Sequence, residues 1–166
     1  MARVTDLFEP VSGDWKRVSP RLATVRRISM LVVTAVVVIA AVVLIVLLPA
    51  LQWIPAAVGI LALAAAIWGW FWAGRNQRSW GYAENADDLL VTRGVMFKRL
   101  VAIPYGRMQF VDVEAGPLDR AYGIATVTLH TASPETAADI PGLLAADATA
   151  LRNRLTELGE SRGAGV

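Results

Sequence analysis

No cysteine occurs in this chain of 166 residues, and histidine occurs once, as His130. Disulfides, thiolate metal sites and a cysteine nucleophile are thereby excluded, and a zinc site lacks ligands. No glycine-rich run leads into Lys-Ser or Lys-Thr, so there is no phosphate-binding loop. Ser79, Ser133 and Ser161 stand in no nucleophile-elbow pattern. His130 falls on the polar side of an alternating run, the setting of a solvated residue. Asp112 and Glu114 share a strand face, which suits a solvated face better than a carboxylate pair or cation site. The expectation is a protein that is not an enzyme, with no catalytic residues, no cofactor and no metal.

Charge is missing from residues 28–74 altogether, although 55% of the whole chain is hydrophobic. The formal charge of +2 is unevenly spread. Residues 1–27 hold six Lys and Arg against three acids, while residues 73–166 hold ten against eleven. The basic excess therefore sits beside the apolar block. It gives no basic face on a folded domain, so no nucleic-acid partner is expected.

The apolar block divides in two. Residues 28–48 read ISMLVVTAVVVIAAVVLIVLL, roughly 31 Å as a helix, which matches a hydrocarbon core of about 30 Å. Residues 53–72 read WIPAAVGILALAAAIWGWFW and are nearly as long. The linker, 49–52, joins antiparallel neighbours, so a transmembrane hairpin with an external turn is predicted. Pro49 stops the first helix because it cannot donate a backbone hydrogen bond. Pro55 falls in the first turn of the second, where the missing donor costs little. A buried soluble hairpin is disfavoured by two adjacent apolar runs of this length. A cleaved signal peptide is disfavoured because the first run is too long, starts late and lacks an Ala-x-Ala end.

Orientation follows from the flanks. Arg17, Arg21, Arg26 and Arg27 precede the first run; Arg75 and Arg78 follow the second; the linker carries no charge. The positive-inside rule then places both termini in the cytoplasm, as a multi-pass protein of the cytoplasmic membrane. These six arginines are candidate contacts for lipid headgroups. Trp53 marks one interface and Trp70, Trp72 and Trp80 the other, as an aromatic belt or, alternatively, a ligand cage. Gly59, Ala62, Ala66 and Gly69 share one face of the second helix and allow a close helix neighbour. The first helix is the simplest such neighbour, and a second chain is the other.

Beyond Trp80 the period shortens. Strands are predicted at 88–92, 97–103, 107–114, 124–131 and 137–140. The clearest is 124–131, where Ala125, Val127 and Leu129 alternate with Thr126, Thr128 and His130. Arg93-Gly94 is read as a turn, Gly116-Pro117 as a break, and 133–135 as a loop. Leu144, Ala148, Leu151, Leu155 and Leu158 then form an apolar stripe on a final helix, with Gly159 as its stop. The predicted organisation is a basic cytoplasmic segment at 1–27, helices at 28–48 and 53–72, a domain at 79–160 and a disordered tail at 161–166. The fold class is a two-helix transmembrane hairpin plus an α+β domain.

Several segments in order resemble the YdbS-like membrane proteins, which carry a bacterial pleckstrin-homology (PH) domain of the second class. They are Trp15-Lys16-Arg17-Val18-Ser19-Pro20-Arg21 and Leu89-Leu90-Val91-Thr92-Arg93-Gly94. They continue with Ile103-Pro104-Tyr105-Gly106-Arg107-Met108-Gln109, with Gly116-Pro117-Leu118-Asp119-Arg120-Ala121-Tyr122-Gly123, and with Ile140-Pro141-Gly142-Leu143. The family's usual isoleucine after Arg107 is Met108 here. The resemblance implies a PH-like fold, a strongly bent seven-stranded antiparallel sheet capped by a C-terminal helix. It does not imply phosphoinositide binding, since Arg93, Lys98 and Arg99 are the only basic candidates between the first strands of the domain.

Strand periodicity explains residues 103–109 and 116–123 least. Tyr105, Arg107, Gln109, Asp119, Arg120 and Tyr122 are therefore the candidate partner surface, with turn chemistry as the competing account. The expected function is a non-catalytic, membrane-anchored interaction or scaffold protein. Its expected partners are membrane lipids and either another membrane protein or further copies of itself. The alternatives are an anionic-lipid sensor and an accessory subunit of a transporter or envelope-stress complex.

Overall fold

A computed structural model describes residues 15–131 and 137–163 of the chain. The expected loop at 133–135 and the last three residues of the expected tail lie outside them. The fold divides into two compact units, Ala23–Arg75 and a second one assembled from Met1–Leu22 and Asn76–Val166.

The first unit holds most of two long helices, α1 (Arg21–Leu47) and α2 (Trp53–Ser79), joined through a 3-10 turn at Pro49–Leu51. Pro49 opens that turn, and Leu48 leaves helical geometry at φ −128°. Both helices are long and apolar enough to cross a membrane. Their large apolar side chains, Val33, Ile39, Leu47, Leu61 and Trp68 among them, point outward. A soluble hairpin would turn such residues inward, so this surface requires a lipid solvent. The two hydroxyls within the apolar run of α1 bond back to its own carbonyls, Ser29 to Val25 at 3.1 Å and Thr34 to Met30 at 2.8 Å. Such pairing is what a low-dielectric setting demands.

Inside this unit the small face of α2 meets α1. A Cβ on Gly59 would stand 3.7 Å from the Cβ of Ala41, and one on Gly69 would collide with the Met30 sulfur. Ala62 and Ala66 line the interhelical groove with Arg26, Ser29 and Met30. Arg27 closes one end of the pair. Its Nε donates to the Trp70 carbonyl at 3.3 Å, and its guanidinium lies 4.7 Å from the Trp70 ring centre.

The second unit is a pair of antiparallel sheets with a closing helix. Strands β1 (Lys16–Arg17), β2 (Gly81–Glu84), β3 (Asp88–Arg93) and β4 (Arg99–Pro104) form the first sheet in that order. Strands β5 (Met108–Glu114), β6 (Ile124–Thr131) and β7 (Ala138–Leu144) form the second. A short helix α3 (Pro117–Ala121) links β5 to β6, and α4 (Ala145–Gly163) follows β7. Alternation along β6 puts Ala125, Val127 and Leu129 in the core, where Ile103, Tyr105, Ile124 and Ile140 join them. α4 packs against the second sheet and the Tyr105–Arg107 turn, burying Ala148, Leu151 and Leu155 completely.

Several boundaries differ from expectation. α1 begins seven residues before 28, and α2 runs through Arg75 to Ser79, because helical hydrogen bonding does not stop where the apolar run does. The stretch from Trp72 to Ser79 is thus helical. Residues 15–22 are not a detached basic segment: β1 pairs with β2, Lys16 to Tyr82 and Arg17 to Gly81. The domain therefore does not start at 79, and the hairpin is inserted between its first two strands. β7 continues to Leu144, so Leu144 belongs to a strand and the stripe begins at Ala148. α4 does not stop at Gly159. That glycine lies within the helix, where an added Cβ would stand 3.7 Å from the Tyr105 carbonyl, and residues 161–163 continue the helix.

Candidate functional site

Three features of the sheet unit are candidate sites. The first is built on Glu84, the last residue of β2. Lys16 of β1 donates to its Oε1 at 2.7 Å, and Arg154 of α4 grips both oxygens, at 2.9 Å and 3.0 Å. Burial opposes ionisation of the Glu84 carboxyl, but the two cationic donors outweigh it and hold its pKa below the ordinary value. The same pairing raises the pKa of Arg154. Beside this triad opens a cleft of about 590 Å³ lined by Lys16, Arg17, Tyr82, Leu143, Asp147 and Arg154. Burial, with Glu84 and Asp147 nearby, pushes the Tyr82 phenol up.

The second feature is the turn at Tyr105. This residue was expected on a partner surface, but its side chain is wholly buried. Its hydroxyl donates to the Asn85 carbonyl at 2.9 Å. Burial, with the charges of Glu84 and Asp88, pushes its pKa up to about 12. Arg162, in the last turn of α4, lies over the Tyr105 ring, pairs with Asp87 and donates to the Ala86 carbonyl at 2.6 Å. The turn is thus a clasp between α4 and the β2–β3 connection.

The other candidates for a partner surface do not form one patch. Arg107 and Gln109 are exposed at the start of β5. Asp119, Arg120 and Tyr122 lie beyond its far end, a strand of seven residues away, or roughly 20 Å. Asp119 there accepts from the Gly116 N–H at 3.1 Å, and the Tyr122 carbonyl accepts from Arg21 at 3.0 Å. Turn chemistry accounts for these two. Sequence reasoning missed Phe110, which is 56% exposed and stacks on His130 with ring centres 4.1 Å apart. The missed sign was the register: Phe110 pairs directly across from His130 after an irregularity at 109.

Of the six candidate headgroup arginines, Arg17 and Arg21 serve the sheet unit. Arg17 donates to the Arg78 carbonyl at 2.6 Å, and Arg21 to Tyr122. Arg27 is held by Trp70, as described. The Nη1 of Arg26 is buried without a hydrogen-bond partner among the described residues. Arg75 and Arg78 are exposed. Among the described residues no three of His, Asp and Glu converge on a metal position.

The third feature is the tip of the β3–β4 hairpin, residues 94–98, with Met96 and Phe97 outermost. Gly94 has φ +112°, a backbone state that side chains strongly disfavour, and a Cβ there would collide with the Phe97 carbonyl. The tip is therefore tightly turned.

The profile of the bacterial PH domain family matches residues 18–159. The transmembrane protein YdbS of Bacillus subtilis is 30% identical over 146 residues, covering 86% of this chain and 91% of that protein. No solved structure matches.

Proposed function

We propose that this chain, a transmembrane protein that belongs to the bacterial PH domain family, works as a non-catalytic interaction module held at the inner face of the bacterial cytoplasmic membrane. One observation carries the reading. β1 lies before the helical hairpin and β2 after it, and the two pair, so the PH-like domain joins its membrane anchor by two chain connections. A domain tethered twice has little freedom to search the cytoplasm. Its partner is then another membrane protein. The basic flanks of the hairpin support cytoplasmic termini.

The partner surface we assign is the end of the second sheet that bears Arg107, Gln109 and the Phe110–His130 stack. It combines an exposed aromatic pair with a cation, the residue types that anchor protein interfaces. A photocrosslinking residue placed at Gln109 in cells should trap one discrete membrane-protein product, and the same probe at Glu157 on α4 should trap none. A clean monomer at both positions would overturn the reading. Thiol labelling of single cysteines at the two termini, in intact cells and in lysed cells, tests the orientation. Labelling of either terminus from outside overturns it.

A further inference from the structure

Phe97 and Met96 are 86% and 76% exposed, more than any large apolar residue of the membrane helices. They sit at the tip of the β3–β4 hairpin, in a turn that rests on the positive φ of Gly94. The pairing register shows which end of the sheet this is. β2 starts at Gly81 opposite Thr92, while β3 and β4 stay paired one step further, to Arg93 and Arg99. The tip thus overhangs the point where the chain leaves α2 for β2. Two contacts tie it there. The Gly94 N–H donates to Ser79 Oγ at 3.3 Å, and the Arg93 guanidinium stands 5.7 Å from the Trp80 ring centre. The charge around the tip has one sign: residues 89–111 include Arg93, Lys98, Arg99 and Arg107 and no acid.

We infer that the Met96–Phe97 tip docks into the interfacial layer of the bilayer that the hairpin crosses, with Lys98 and Arg99 toward anionic headgroups. An apolar pair flanked by basic residues is the chemistry of such a surface. The tip overhangs the end of the sheet at which the chain emerges from a membrane-crossing helix. Docking gives the domain a third hold on the membrane besides its two chain connections. It goes beyond the partner-binding reading and does not depend on it.

The absence of cysteine makes the test direct. The full chain carrying Met96→Cys and a nitroxide label is placed, one copy per disc, in lipid nanodiscs of phosphatidylcholine doped with phosphatidylglycerol. The label's collisions with oxygen and with a water-soluble nickel chelate report its depth. Labels at Ile60→Cys and Glu157→Cys supply the lipid and water references. The expected result at position 96 is oxygen-favoured, on the lipid side of the water reference. Adding Phe97→Asp lowers the docked population by roughly tenfold or more, and the exposure of Phe97 leaves the core untouched. Removing phosphatidylglycerol weakens docking by roughly fivefold for each basic residue near the surface. A nickel-accessible label at 96 in these discs overturns the inference. So does shielding seen only with two copies per disc, which assigns the tip to self-association, or only in native membranes, which assigns it to a protein. Docking indifferent to phosphatidylglycerol overturns the role given to Lys98 and Arg99.

Discussion

In the helical hairpin Val46 and Ile60 are 74% and 67% exposed, whereas Val127 and Ile140 in the sheet unit are fully buried. The residue types are the same and the settings opposite. The sheet unit is held together by apolar surface removed from water inside itself. The hairpin turns most of its apolar surface outward and draws its stability from the lipid around it, with small residues and satisfied hydroxyls at the seam between its helices. A truncated side chain should therefore cost much in one unit and little in the other.

Leu155→Ala and Leu61→Ala test that contrast most strongly. Leu155 lies on the wholly buried face of α4, and its truncation should destabilise the sheet unit by about 2–5 kcal/mol. Leu61 faces outward from α2, and its truncation should change stability by less than about 0.5 kcal/mol. Thermal unfolding of the full chain in detergent, followed by circular dichroism, measures both. Equal losses would break the comparison.

Gly142→Ala comes next. Gly142 has φ +73°, and a Cβ there would lie 2.6 Å from the Leu22 Cβ, in the same unit. The expected cost is about 1–3 kcal/mol. Because Ser19 donates to the Gly142 carbonyl at 2.9 Å, amide exchange in residues 16–22 should rise as well.

Glu84→Gln should cost roughly 1–2 kcal/mol, the worth of charge-assisted bonds discounted for two half-exposed partners. It also sharpens the contrast through pH. The folded pKa of Glu84 lies below its ordinary value of 4.5. Its contribution is therefore complete above that value and is lost as pH falls through the lower folded one. Acid unfolding of the native chain should show this loss, and Glu84→Gln should flatten it.

Tyr105→Phe is the mildest, at about 1 kcal/mol for one hydrogen bond. The neutral phenol is favoured in the fold, with a pKa of about 12 against an ordinary 10. Its stabilisation is present below pH 10 and falls away as pH rises toward 12. Native protein should lose stability over that alkaline range more steeply than Tyr105→Phe, in a titration of unfolding midpoints.

Some of this was readable from residues alone. The hairpin was, because an uncharged run long enough to span lipid has few other readings. The strand at 124–131 matched its observed limits, because β-branched residues alternate cleanly there. What escaped notice depends on partners distant in the chain. β1 is two residues long and acquires strand geometry only from Tyr82 and Gly81. The helical extension through Asn76 and Arg78 lies in a polar stretch that composition reads as a break. At the site, Tyr105 was misplaced because a tyrosine next to Pro104 and Gly106 reads as a turn, and only packing against α4 shows that it is core. Arg107 and Arg120 were grouped because both sit in irregular segments, and strand length separates them.

The insertion of the hairpin between β1 and β2 also dictates an order of biogenesis. The bond from Lys16 to Glu84 joins residues 68 positions apart. On the ribosome, β1 is made first, and both helices are made before its partner strand. Only then does β2 arrive to pair with it. Closure of the PH-like fold therefore cannot precede synthesis of the hairpin, and until β2 follows it β1 has no partner strand.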